Sequence, residues 1–152
     1  MGARSTELVV VDDRERQPLL PHSLSAMGPG VAWCDLNGDG NEDLVIGAGR
    51  GGRLSVLSGD GQGRFRVVGM EAWNGVSAEE EVAVVGWQAE PGSATLLVGT
   101  TNYRMGGTNE AAVKRYEVAL GEVTRGGGFP GVATGTGPVV VADMDGDGDV
   151  DV

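Results

Sequence analysis

Two short segments carry oxygen side chains at a spacing that suits a hard cation. In Asp35-Leu36-Asn37-Gly38-Asp39-Gly40-Asn41-Glu42-Asp43, loop positions 1, 3, 5 and 9 are Asp35, Asn37, Asp39 and Asp43. Asp143-Met144-Asp145-Gly146-Asp147-Gly148-Asp149-Val150-Asp151 repeats this with an Asp at each of those places. Like charges held so close are costly unless a cation neutralises them. Ca²⁺ takes about six to eight oxygen ligands, and a Gly at the sixth place permits the sharp turn such a loop needs. The seventh residue, Asn41 or Asp149, is placed to offer its backbone carbonyl. The candidate ligands are therefore Asp35, Asn37, Asp39, Asn41 and Asp43 in one loop, and Asp143, Asp145, Asp147, Asp149 and Asp151 in the other. Ca²⁺ is the expected cofactor. Neither loop holds Cys or His, so a metal that prefers thiolate or imidazole is unsupported.

An EF-hand needs a bidentate Glu at position 12. Ile46 stands there, inside an apolar run, and no amphipathic helix flanks the loop. Asp, Asn and Gly also build plain solvated turns, but two near-identical loops weigh against that reading.

The elements around these loops read as strands. Short apolar runs recur between Gly, Asp, Asn and Pro: Glu7–Val11, Val31–Cys34, Asp43–Gly47, Arg53–Leu57, Arg64–Val68, Val82–Gly86, Thr95–Gly99, Val113–Ala119 and Val139–Ala142. Their close spacing predicts antiparallel strands joined by tight turns. The sole helix-like candidate is Ser77–Glu81, which is short. An internal repeat orders the strands. Val31 through Gly47 matches Val82 through Gly99 and starts again at Val140, with Asp35, Gly86 and Asp143 equivalent at offsets of 51 and 57 residues. Four strands in such a span is one propeller blade. The middle unit, Gly86-Trp87-Gln88-Ala89-Glu90-Pro91-Gly92-Ser93, lacks the carboxylates, so no metal is expected there.

These residues resemble the FG-GAP, or VCBS-type, repeats of the integrin α-subunit propeller and of many bacterial extracellular proteins. The resemblance rests on the inner strand Gly30-Val31-Ala32-Trp33, the Asp-x-Asn-x-Asp-Gly-x-x-Asp loop, the following Asp43-Leu44-Val45-Ile46-Gly47, and the turn Gly59-Asp60-Gly61-Gln62-Gly63-Arg64-Phe65. It implies an all-β fold of four-stranded antiparallel β-propeller blades, with structural calcium in a hairpin loop between the first two strands. The expected layout is an incomplete propeller. Outer strands of a preceding blade occupy 5–24, a blade with a calcium loop 28–76, a blade without one 79–130, and the inner part of a further blade with a calcium loop 137–152.

Composition narrows the function. The chain has 152 residues, 28 of them Gly, with 40% hydrophobic residues and a formal charge of -11. That excludes a helical bundle on glycine content and nucleic acid or an anionic membrane surface on charge. The two loops hold nine of the 22 acidic residues and no basic one, which leaves 13 acids against 11 bases elsewhere. No apolar run approaches the ~20 residues that span a bilayer, and the N-terminus lacks a signal-peptide pattern. Gly47-Ala48-Gly49-Arg50-Gly51-Gly52 fits a dinucleotide fingerprint, but a β run and not a helix follows it. His22 reads as a surface residue and Cys34 as a buried inert thiol. Trp33 and Trp87 are expected to pack between blades, while Trp73 and the insertion Thr100–Asn109 are candidates for an exposed binding surface. The expected function is a non-enzymatic, calcium-stabilised interaction module, extracellular or at the cell surface, whose ligand is a protein, a glycan or a second copy of the chain. The alternatives are the propeller part of an extracellular carbohydrate-active lyase or hydrolase, and a fragment that assembles into a ring as a homo-oligomer.

Overall fold

The computed structural model describes residues 12–16, 18–22, 28–68, 76–101, 113–119, 122–129, 135–148 and 150–151. Glu7–Val11, Trp73, the insertion beyond Thr101 and Asp149 lie outside these residues. The described part is all-β except for one helical turn, α1 (Asp13–Arg16). Eight strands follow: β1 (Val31–Cys34), β2 (Asp43–Ile46), β3 (Ser55–Gly59), β4 (Phe65–Val67), β5 (Glu80–Glu90), β6 (Ser93–Thr101), β7 (Val113–Ala119) and β8 (Glu122–Arg125). They make two four-stranded antiparallel sheets, each a meander in sequence order, as expected for β-propeller blades.

In the first sheet the register places Ala32 opposite Val45 and Val45 opposite Val56. Alternation along each strand sends Cys34, Asp43, Val45 and Val56 to one face. That face meets Ala94, Leu96, Val98, Tyr116 and Val118 of the second sheet, and Leu36 and Leu54 complete the shared core. Each fully buried Leu or Val stabilises such a core by about 1.5–3 kcal/mol. β6 is buried from Ala94 to Thr100 without alternation, as befits a strand covered on both faces.

Backbone bonds seal the junction of the two sheets. The Gly30 amide donates to the Glu81 carbonyl, the Glu81 amide to Ala48 and the Ser77 amide to Gly52. Beneath them lies a buried ion pair, Lys114 Nζ to Glu81 Oε1 at 3.6 Å. Glu81 Oε2 accepts the Ala48 amide, and Lys114 donates to Ser77 Oγ. Burial lifts the Tyr116 hydroxyl above its ordinary 10.0, the nearby Glu81 adds to this, and Arg125 opposes it.

Two expectations need correction, and one short candidate is settled. Outer strands were expected within 5–24, but Asp13–Arg16 is helical. Asp12 starts the turn, its side chain accepting the Arg14 amide and its carbonyl the Glu15 amide, a capping arrangement that favours helix over strand. Ser77–Glu81 is not helical; its end enters β5. The run Val139–Ala142 forms no strand and meets its partner through a single described bridge, Ala142 to Asp151.

Candidate metal centre

The first acidic loop joins β1 to β2 where Cys34 pairs with Asp43. Asp35 organises it. Its Oδ1 accepts the amides of Gly38 at 2.7 Å and Asp39 at 3.2 Å, and its Oδ2 accepts that of Gly40 at 2.8 Å. Asn37 Oδ1 accepts the Asp39 amide and Asp39 Oδ1 the Asn41 amide, both at 2.8 Å. So tight a coil forces positive φ at Gly38 (76°) and Gly40 (82°), where a side chain is costly. Asp39 is fully exposed, and the Asn41 amide, more than any other contact, holds its carboxyl below its ordinary value.

Asp43 does a different job. It is buried, with Oδ2 accepting the Leu36 amide and Oδ1 the Gly59 amide. One carboxylate therefore ties the acidic loop to the end of β3, a role that its place in the loop motif did not disclose.

The second loop repeats the main bonds of this pattern. Asp143 accepts the Gly146 and Gly148 amides, Asp145 the Asp147 amide, and Asp151 the Met144 amide. Gly146 and Gly148 again have positive φ, 79° and 92°. Asp143, Asp145 and Asp151 each offer a carboxylate oxygen within 4.8 Å of the others. A hard-oxygen set of this kind suits Ca²⁺, and hydrogen bonds leave further lone pairs on each carboxylate. In the first loop the amide oxygen of Asn37 stands where the second has Asp145.

The unit between them has no such loop. β5 runs on through Gly86 to Glu90 and turns at Pro91-Gly92, with Gly92 at φ 78°. Among the other sequence candidates, Cys34 is buried and its thiol is pushed up to about 11, chiefly by burial, with Glu42, Asp35 and Asp43 adding to it. His22 is exposed, and the glycine run 47–52 is a turn leading into β3. Trp33 corrects an expectation: it is 55% exposed and tilts against Phe65 with ring centroids 5.7 Å apart. Sequence reasoning also passed over the Glu81–Lys114 pair. Its one signal was a lysine on the inward-facing period of Lys114, Tyr116 and Val118.

Residues 27–68, which contain all of the first sheet, match the family model of the FG-GAP repeat. The likeness to the FG-GAP repeat covers this segment, and the match does not extend to the second sheet or to the second acidic loop. Comparison with curated proteins and with solved structures gives no match.

Proposed function

We propose that this chain is a calcium-binding interaction module without catalytic activity, in which Ca²⁺ pins the β1–β2 hairpin and its counterpart at Asp143–Asp151. The observation that carries this reading is the twinning of the loops. Segments more than a hundred residues apart bind their own amides through the same positions, and in the second Asp143, Asp145 and Asp151 bring carboxylate oxygens within 4.8 Å of one another. FG-GAP repeats are often calcium-binding and are typical of extracellular proteins. Free calcium is abundant outside cells, which favours action there; no helix among the described residues is long and apolar enough to cross a membrane. Asp35, Asn37, Asp39, Asn41 and Asp43 would hold one ion, and Asp143, Asp145, Asp147, Asp149 and Asp151 the other. Ligand binding would fall to the sheet surfaces and connections that the loops hold in register.

Thermal unfolding in calcium and in EGTA tests the proposal. Calcium should raise Tm, and combining Asp39→Ala with Asp147→Ala should remove most of that rise. Equal melting in calcium and EGTA overturns it.

A further inference from the structure

The first sheet covers the second with one face, and among the described residues no strand packs on its other face. On that other face the register aligns Trp33 with Leu44, Leu57 and Val67 across all four strands, and Val31 with Ile46. Phe65 extends the row beside Trp33. Val31, Trp33, Phe65 and Val67 are all exposed. A continuous apolar sheet face of this kind marks a docking surface.

The molecule itself shows what fits such a face. By the internal repeat, Leu44 and Ile46 correspond to Leu96 and Val98. Those two are fully buried, within the core that Cys34, Leu36 and Val45 of the preceding unit share. The bare face is thus the counterpart of a face that is already covered once. The counterpart of the covering residues is also bare. The matched hydrogen bonds of the two loops make Met144 equivalent to Leu36 and Val140 equivalent to Ala32. Leu36 is 3% exposed, whereas Met144 is 83% and Val140 78% exposed. One end of the described chain carries an uncovered receiving face, and the other carries uncovered covering residues of the type that face accepts.

We propose that the Trp33–Val67 face of the first sheet docks the Val140–Met144 segment of a second copy of this chain, head to tail. The contact repeats the interface between the two sheets. It is heterologous, so it propagates until a ring closes or a filament grows. The two halves lie at different sites, so each can be blocked alone.

The test is solution mass over a wide concentration range, in saturating calcium so that loop order is not a variable. The wild-type mass should rise to multiples of the chain. Trp33→Asp and Val140→Asp, both at exposed positions, should each stay monomeric. Phe65→Lys is a second block on the receiving face. Mixing the Trp33→Asp and Val140→Asp chains should restore one contact and stop at a dimer, because each retains the half that the other lacks. A wild-type chain that stays monomeric throughout overturns the proposal, even if an oligosaccharide or other ligand perturbs Trp33. An oligomer indifferent to Val140→Asp, or a mixture that forms no dimer, overturns it equally.

Discussion

Two hairpins in this chain solve the same joining problem by opposite means. Between β1 and β2 the chain takes eight residues, Asp35–Glu42, to turn back. Between β5 and β6 it takes two, Pro91 and Gly92. The short turn is self-sufficient: Pro fixes φ at its first corner and Gly supplies the positive φ of the second. The long one spends its side chains on its own amides, with Asp35, Asn37 and Asp39 each accepting from the turn they sit in. The two also touch. A Cβ at Gly38 would lie 2.6 Å from the Gly92 Cα, and Gln88 Nε2 donates to the Asp35 carbonyl. The acidic loop rests on the tip of the hairpin that lacks one.

The largest expected effect probes what both hairpins share. Leu96→Ala empties the common core and should cost about 2–5 kcal/mol, by the same amount in calcium and in EGTA. Chemical denaturation in both buffers checks this, and a calcium-dependent cost would mean that the core is not common ground. Next comes Asp43→Ala. It leaves the amides of Leu36 and Gly59 without their acceptor, at about 1–3 kcal/mol for each one that stays buried and unpaired. Because this role is structural, the loss should persist in EGTA, unlike that of Asp39→Ala.

Much of this contrast was legible in the sequence. Spaced oxygens and glycines marked both loops, and the absence of carboxylates after Gly86 marked the hairpin that differs. The length of that hairpin was not legible. β6 is buried on both faces and so shows no alternation to mark its ends, and in β5 the polar Gln88 and Glu90 conceal a strand that runs past Gly86. Trp33 misled for a related reason. Period-two patterning tells which residues share a face, but not which of two apolar faces is covered. The turn at Asp13–Arg16 was hidden because its helical signal is one capping aspartate before four charged residues.

A finer test separates packing from backbone strain. Gly38 and Gly146 have nearly the same φ, 76° and 79°, yet nothing lies within 4 Å of a Cβ at Gly146. Gly146→Ala should carry only the left-handed strain, about 1–2 kcal/mol. Gly38→Ala adds the collision with Gly92, so it should lower Tm further; equal shifts would refute the contact between the hairpins. The smallest effect is a pH dependence set beneath both hairpins. The raised folded pKa of Tyr116 means that the native state holds this proton more tightly than the unfolded chain. Its contribution is complete below the ordinary 10.0 and is lost as pH rises through the folded value. Alkaline titration of stability should be shallower in Tyr116→Phe.

Cys34 gives the seam between the sheets a clock. Its side chain lies against Gly86 of the neighbouring sheet, so close that a Cβ there would come within 3.1 Å of it. A buried thiol pushed up to about 11 meets an alkylating reagent only when the seam parts. Its labelling rate under native conditions therefore counts openings between the sheets.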